Sequence, residues 1–457
     1  MKHSGAMLGQ AQSDRRAVIS VLVILVVAFA FGGGGSQYGI ANLIIQLVAL
    51  AALALQRDTF LSFWRQAPLA LRGLIAASIA LPLLQLIPLP PTIWTGLPGR
   101  ELVETSMIRA QSMGWMAFSV DPVRTLLALT GLIVPTIVLT LGWSLSFARL
   151  TQAAWLITGL GLATLAIGAL QVSSNGTVAT IFQENGPTSL LLGTFANRNS
   201  TGLLLIFSLA VAVALPAPRP HPLVLPLRLG ICVLLIVAIV LTQSRTAFVL
   251  TAIPLFLGLI RAVWQAEGAR QSAPSRARLP RPLAMVVGSV LLLGAAGAAL
   301  MVAAPGRLGQ TLERFENIEE ARLYIWEDAT YSIDRYWPLG SGMGTFEDVF
   351  QVDESLENLT RRRAGRAHND YLEIAIEAGL PGLALVALWA AFIAYCTWQA
   401  RRSHHRWLSW SGSAFLMAVA LQSITDYPLR NQTLLALAGF ALLVLVRGAF
   451  DPRAKQA

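Results

Sequence analysis

The chain has 457 residues, of which 55% are hydrophobic and only 13% are charged, and its mean hydropathy is +0.61. A soluble domain carries about 25% charged residues, so this composition excludes an ordinary soluble globular protein. The formal net charge of +10 is spread over many loops and forms no single basic patch, which argues against a nucleic-acid partner.

Long apolar runs predict an all-α polytopic membrane protein with about twelve transmembrane helices, because roughly 20 apolar residues cross a bilayer as a helix. The first run follows a basic start and has no cleavage pattern, so it is interpreted as an uncleaved span. A glycine run at 32–35 is either a hinge or a plain turn. The predicted spans are 17–31, 38–55, 69–87, 125–147, 153–172, 201–215, 225–241, 246–264, 283–304, 371–398, 407–424 and 434–446.

Charge separates the two sides of this topology. Lysines and arginines concentrate on the side of the N-terminus and acids on the other side, and positively charged loops stay in the cytoplasm. We therefore expect both termini in the cytoplasm. Long loops tend to carry function, and the three longest fall on the acidic, outer side. The expected organisation is residues 1–304 with nine spans and outer loops at 88–124 and 173–200, a large outer loop at 305–370 with amphipathic helices, and residues 371–457 with three spans and a cytoplasmic tail.

The large loop contains a predicted amphipathic helix at 316–336, where apolar residues recur at helical spacing among acids and arginines. Gly340, Gly342 and Gly344 follow it. Glycines at alternate positions permit close approach of the backbone to a ligand, but they equally permit an ordinary loop.

Several spans begin on the outer side, where the N-terminus of a helix carries a partial positive charge. Asn197, Arg198 and Asn199 precede one of these spans, and Ser244 and Arg245 precede another. Free N–H groups at a helix start bind anions, and a guanidinium matches a phosphate. Arg198 and Arg245 are therefore candidate phosphate ligands. The alternative is that each arginine reaches out to the lipid headgroups.

His368 closes the large loop just before the tenth span. A general base needs a neutral imidazole, and neighbouring arginines favour that form. Asp370 has either a direct role or a capping role, because Asp370 and Glu373 have the spacing of a capping box. Glu377 is interpreted as structural or orienting, and the Gly-Leu-Pro-Gly segment from Gly379 is expected to kink the helix.

Taken together, these pieces resemble the O-antigen ligase and polymerase family of bacterial envelope glycosyltransferases. Each motif is short, and the resemblance rests on their order, their spacing and the large loop before the tenth span. The matching segments are 119–122, 193–199, 244–245, Arg322 with Trp326, 338–346, 368–372 and 377–382.

The resemblance implies a GT-C-like, metal-independent, inverting glycosyltransferase of the bacterial inner membrane, with a periplasmic active site. Its donor would be a glycan on undecaprenyl diphosphate, and membrane lipids would surround it. A ligase transfers the glycan to a sugar of lipid A core, and this is the favoured interpretation. The alternatives are a polymerase acting on another lipid-linked repeat and a protein O-oligosaccharyltransferase.

Residue roles follow from the same resemblance. His368 is expected to be the catalytic base, and Arg198, Arg245 and Arg322 are expected to bind the diphosphate. For Arg322 the alternative is a contact with Trp326 on the same helix. Neither a metal ion nor another cofactor is expected. The supporting residues are Asn197, Asn199, Asn369, Asp370, Tyr371 and Glu377.

A transporter or flippase for a lipid-linked glycan is the competing, non-enzymatic class. Such a protein carries ionisable residues inside its spans to form a translocation path. Here the charges cluster at the ends of the spans, which favours chemistry at the membrane surface.

Overall fold

The computed structural model describes residues 2–35, 37–182, 190–216, 221–271, 320–358 and 363–451. Within these ranges the chain is almost entirely helical. The single sheet found there pairs two residues of β1 (Pro88–Leu89) with two of β2 (Met116–Ala117) in antiparallel register. The predicted all-α class is therefore confirmed.

Helices occupy every predicted span except 283–304, which lies outside the described residues. In chain order they are α1 (Lys2–Phe31), α2 (Gly39–Ala54), α3 (Arg57–Gln66), α4 (Leu69–Gln85), α5 (Pro91–Trp94), α6 (Glu101–Arg109), α7 (Pro122–Gly131), α8 (Ile133–Gly142), α9 (Phe147–Ser173), α10 (Arg198–Ala214), α11 (Val224–Leu241), α12 (Arg245–Leu250), α13 (Ala252–Gln271), α14 (Glu320–Tyr336), α15 (Phe346–Asp353), α16 (Asp370–Ala400), α17 (Arg406–Gln422) and α18 (Gln432–Ala449).

Seven of the described helices or helix pairs are long and apolar enough to cross a membrane. Helices α2 and α3 form a pair bent by 83°, and they make an eighth span if the pair is counted as one. The chain is thus a multi-pass membrane protein. The predicted spans at α4, α10 and α17 have 17 residues each. At 1.5 Å per residue such a helix is roughly 25 Å long, slightly less than the hydrocarbon thickness of a bilayer.

The centre of the bundle is formed by α10, α17 and α18. Helix α10 packs against α9, α11, α13 and α17, and it is buried along nearly its whole length. Helix α18 packs against α17, α8, α16 and α1, and 72% of its apolar window is buried, compared with 17% for α11. The helices around this centre leave their outer faces to the lipid.

The glycine run after α1 is a tight turn. Gly32–Gly34 form a 3-10 helix, and the carbonyl of Gly33 accepts a hydrogen bond from the amide of Ala196 at 3.1 Å. A side chain on Gly33 would collide with the carbonyl of Thr194. The run therefore brings the end of α1 directly against the segment that leads into α10.

The large loop packs on the start of α16. Helix α14 confirms the predicted amphipathic helix from residue 320 onward, whereas residues 316–319 lie outside the described ranges. A small apolar core joins the two loop helices to α16, and its buried members are Ala329, Tyr336, Phe346, Val349, Phe350, Ala367 and Ile376.

Candidate active site

The three helix starts that contain candidate site residues are each capped by a polar side chain. Asn197 caps α10, Ser244 caps α12 and Asn369 caps α16, and each side chain accepts a hydrogen bond from a main-chain amide in the first turn. The expectation that Asp370 and Glu373 form a capping box is wrong. Asn369 satisfies the first amides of α16, so the two carboxylates are left for other partners.

The carboxylate of Asp426 joins two of these helix starts. Its Oδ2 accepts hydrogen bonds from Nδ2 of Asn197 at 3.1 Å and of Asn199 at 2.8 Å. Asn199 in turn accepts a hydrogen bond from the Ser244 hydroxyl at 2.6 Å. Asp426 is only 1% exposed. The supporting positions Asn197 and Asn199 therefore orient a carboxylate that lies between α17 and α18.

His368 faces the other oxygen of this carboxylate. Its Nδ1 lies 3.5 Å from Oδ1 of Asp426, and this nitrogen is buried although 31% of the side chain is exposed. The exposed part of the side chain therefore lies away from Nδ1. The ring of Tyr427 lies beside the imidazole, with the ring centres 5.1 Å apart.

The backbone holds His368 in an uncommon conformation. Its φ of 52° lies in the left-handed region, which few residues other than glycine adopt. On the amino side, the amide of Ala367 donates to Oε1 of Glu373 at 3.0 Å, and the carbonyl of Ala367 accepts from Nε1 of Trp326 at 2.8 Å. Strained residues of this kind persist only where the surroundings fix them, and such strain often occurs at active sites.

Asp426 is ionised at neutral pH. Burial raises the pKa of its carboxyl, but the contacts with His368 and Asn199 outweigh this effect and leave the pKa below its usual range. A carboxylate facing Nδ1 keeps the imidazole proton on that nitrogen. A neutral imidazole in this tautomer would carry its lone pair on Nε2.

The three predicted arginines begin or lie on helices that meet near this pair. Arg198 is the first residue of α10, and Arg245 is the first residue of α12. Arg322, on α14, donates to the carbonyl of Thr425 at 2.9 Å. The hydroxyl of Thr425 lies 3.5 Å from that of Thr246, next to Arg245. The structure thus brings all three helices to the segment that carries Asp426.

Beneath the site lies a buried cluster of charges, which we call the Arg430 cluster: Arg430, Arg366, Asp370, Glu373 and Glu377. Arg430 lies 2.8 Å from Glu377, 3.0 Å from Glu373 and 3.6 Å from Asp370. Arg366 lies 3.2 Å from Glu373. Asp370 and Glu377 thus belong to an ion-pair network, and the interpretation of Glu377 as an orienting residue remains a prediction.

The glycines of the large loop make close contacts with protein. Gly340, Gly342 and Gly344 all have positive φ, and a Cβ on Gly340 would lie 2.6 Å from the main chain of α16. The amides of Ser341 and Gly342 donate to carbonyls of α16 at 2.9 and 2.8 Å. There α16 is kinked at Gly379, with φ 54° and ψ −144°, which confirms the predicted kink. These glycines serve packing.

The hydroxyl of Tyr371 donates to the carbonyl of Ala420 on α17 at 2.8 Å. Sequence reasoning missed the roles of Asp426, Tyr427 and Arg430, which share one short connection between α17 and α18. A signal was present there: an acid and an arginine flank a proline in a connection of a few residues between two apolar helices.

Within the described ranges, no group of three or more histidines, cysteines or carboxylates has the arrangement of a metal site. The positive charges near His368 are those of arginines.

Residues 230–387 match the model of a protein family described as O-antigen ligase. The match begins in α11 and ends in α16 after the kink, so it includes Arg245, Arg322 and His368 and stops before Asp426. No curated protein matches the chain.

Proposed function

We propose that this chain transfers a glycan from undecaprenyl diphosphate to a sugar hydroxyl of lipid A core, and the match of residues 230–387 to the O-antigen ligase model supports this proposal. The observation that carries the proposal is the His368–Asp426 pair, which lies beside three helices with arginines. Two of these helices, α10 and α12, begin with an arginine, and α14 contains one. Such an arrangement supplies a base for the acceptor and cations for the donor. A transporter needs no general base, because it makes and breaks no covalent bond in its substrate.

His368 acts as the general base. Asp426 holds the proton on Nδ1, and Nε2 takes the proton of the acceptor hydroxyl. The acceptor oxygen forms a bond to the anomeric carbon of the donor sugar as the bond from that carbon to the diphosphate breaks. The bonding electrons leave with the diphosphate. Direct displacement of this kind inverts the configuration at the anomeric carbon.

Arg198, Arg245 and Arg322 bind the diphosphate. A guanidinium offers paired donors that match phosphate oxygens, and the amides at the starts of α10 and α12 add partial positive charge. Together they stabilise the negative charge that develops on the leaving group. This set of cations supports a metal-independent mechanism.

The charge distribution of the loops supports a periplasmic site in the bacterial inner membrane, with both termini in the cytoplasm. In this orientation the loops 88–124, 173–200 and 305–370 lie in the periplasm. The acceptor then approaches from the periplasm, and the lipid-linked donor approaches from the outer leaflet.

Alanine substitutions at His368, Arg198 and Arg245 test the proposal. Each variant should lose transfer while remaining in the membrane at normal abundance. Arg149 is a matched control, because it also lies in the first turn of a helix, α9, but at the opposite end of the bundle. Arg149→Ala should keep full transfer, and so should a variant of the exposed His221. Normal transfer by His368→Ala would contradict the mechanism.

A deletion strain of the source organism separates the possible acceptors when its lipopolysaccharide and its lipid-linked glycans are analysed. Bare core with accumulating long lipid-linked chains is the result expected of a ligase. Single repeats on core without a ladder would indicate a polymerase instead. Unchanged lipopolysaccharide would indicate an exopolysaccharide or protein acceptor, and repeats trapped on the cytoplasmic face would indicate a transporter.

A further inference from the structure

Two side chains of α14 bond to the chain directly before the histidine and directly before the aspartate of the candidate active site. Nε1 of Trp326 donates to the carbonyl of Ala367 at 2.8 Å, and Nη1 of Arg322 donates to the carbonyl of Thr425 at 2.9 Å. Positions 322 and 326 are about one turn apart, so both side chains leave the same face of α14. One helix of the large loop therefore contacts both segments that have to meet for the pair to form.

The bond from Trp326 fixes the peptide plane that precedes His368. The carbonyl of Ala367 and the amide of His368 belong to one planar unit, and φ of His368 is a rotation relative to this plane. That φ is 52°, in the left-handed region, where a residue with a side chain is strained. The indole therefore holds the plane in the orientation that this backbone conformation needs.

The segment around His368 depends on such side-chain bonds. Residues 363–369 form neither helix nor strand. Ala367 is 0% exposed, and its amide donates to a carboxylate of α16. On the other side of His368, the amide of Asp370 donates to a carbonyl of α17 at 2.9 Å. The chain is thus anchored on both sides of the histidine, and the bond from Trp326 ties it to α14.

A change of φ at His368 would move its imidazole. Because the chain is anchored on both sides, such a change cannot be absorbed without a shift of the Cα, and the ring moves with it. Nδ1 is buried and lies 3.5 Å from Oδ1 of Asp426, a contact that a small shift would break. The strain of one left-handed residue and the net contribution of one hydrogen bond are of the same order. Loss of the bond from Trp326 is therefore enough to favour relaxation.

We propose that Trp326 is a positioning residue, which fixes the imidazole of His368 against Asp426 through the carbonyl of Ala367. This inference rests on the proposed function, in which His368 is the general base. It gives α14 a part in the reaction beyond the proposed donor contact of Arg322, because the same helix sets the geometry of the base. A tryptophan that served packing alone would act through the volume of its ring.

Two substitutions of Trp326 separate these roles, because each keeps a different property of the indole. Trp326→Phe keeps an aromatic ring but has no donor. Trp326→His has a smaller ring, but Nε2 of histidine occupies the same position in its five-membered ring as Nε1 of tryptophan, so a donor remains. A positioning role predicts that Trp326→His retains more function than Trp326→Phe, whereas a packing role predicts the reverse order.

Transfer by the purified full-length protein is the first readout, with a glycan on undecaprenyl diphosphate as donor and lipid A core as acceptor. Trp326→Phe should lower kcat at least about tenfold, because a misplacement of about 1 Å can cost about a hundredfold in rate. KM for the donor should stay nearly unchanged, because the variant removes no proposed donor contact. Trp326→His should recover part of kcat, and its combination with His368→Ala should be inactive.

The reaction of His368 with diethyl pyrocarbonate is the second readout, and it needs no transfer. The reagent modifies accessible imidazoles, and mass spectrometry locates the modified residue. Because the ring should leave its contact with Asp426, His368 should react faster in Trp326→Phe than in the wild type or in Trp326→His. The exposed His221 is the internal reference, and its rate should be equal in all three proteins.

Trp410→Phe is the matched control for the loss of an indole donor. Nε1 of Trp410 also donates to a main-chain carbonyl, that of Thr397, at 3.2 Å. This bond joins α16 and α17 toward the ends of these helices that are remote from His368. Trp410→Phe should therefore change neither kcat nor the reaction of His368 with the reagent.

Several outcomes would overturn the proposal. A wild-type kcat in Trp326→Phe, a lower kcat in Trp326→His than in Trp326→Phe, or activity of the variant that combines Trp326→His with His368→Ala would each do so. An unchanged reaction of His368 in Trp326→Phe would do so whether or not the wild type transfers a glycan. Absence of transfer by the wild type, together with a faster reaction in Trp326→Phe alone, would refute the proposed function and still support the positioning of His368 by Trp326.

Discussion

Replacing Arg430 with methionine should destabilise the folded protein by about 3–5 kcal/mol, the typical cost of removing one partner from a buried ion pair. Arg430 lies within 3.0 Å of both Glu373 and Glu377, and both of these residues are 0% exposed. Methionine fills a similar volume but leaves the carboxylates without this cation. The cost arises from the buried charges that remain and does not measure the net strength of the ion pairs.

A matched surface arginine provides the comparison. Arg124 lies 2.9 Å from Glu347, almost the same distance, but about a third of each side chain is exposed. Exposed ion pairs contribute about 0–1 kcal/mol. Arg124→Met should therefore change the free energy of unfolding several times less than Arg430→Met.

Denaturant titration of both variants and the wild type, in the same detergent and with tryptophan fluorescence as the signal, measures the two free energies. Adding Glu377→Gln to Arg430→Met should recover part of the loss, because it removes one uncompensated charge. Equal losses from Arg430→Met and Arg124→Met, or no recovery in the double variant, would refute the reasoning that burial decides the cost.

Gly379→Ala should sharply lower the yield and the unfolding midpoint, because the φ of Gly379 is left-handed and the new Cβ would meet the carbonyl of Pro338. Gly159→Ala is the control and should be tolerated, because no atom lies near the position of its Cβ. The folded pKa of Asp426 is depressed, so its stabilising contribution is present above the unfolded pKa of about 3.9 and is lost as the pH falls through the lower folded value. The free-energy difference between wild type and Asp426→Asn should therefore be smaller at pH 3 than at pH 5, and an unchanged difference at pH 3 would contradict this. Glu373→Gln keeps an acceptor for the amide of Ala367, beside the candidate base, whereas Glu373→Ala leaves this buried amide unsatisfied at a cost of about 1–3 kcal/mol. The unfolding midpoint of Glu373→Gln should therefore fall less than that of Glu373→Ala. Equal losses in the two variants would contradict this prediction.

Local chemistry explains which parts of the fold were predictable. Apolar runs located the spans because a helix that faces lipid or a packed interior must be apolar over its length. The helix starts beside Arg198 and His368 follow from local chemistry too, because Asn197 and Asn369 satisfy the first amides of their helices. The capping role considered for Asp370 was wrong, because Asn369 caps the helix and the carboxylate of Asp370 lies near Arg430 instead.

The pairing of His368 with Asp426 could not be predicted from the spacing of the two residues in the sequence. The two residues are far apart in the chain, and the packing of the start of α16 against the end of α17 brings them together, where the amide of Asp370 donates to the carbonyl of Ser423. Arg430 was missed for the same reason, because its three carboxylates all lie on another helix. The roles of His368, Arg198, Arg245 and Arg322 in catalysis and binding remain predictions.

The glycine turn of the large loop limits which segments of this protein can be exchanged as a unit. Because the turn at 340–344 is built into the kink of α16, the loop is no detachable module. A fragment containing the loop alone would lose Ile376 from its small apolar core and should not fold as a soluble domain. Chimeras that exchange the loop with that of another protein should therefore transplant the loop, the kinked half of α16 and the connection from α17 to α18 as one block.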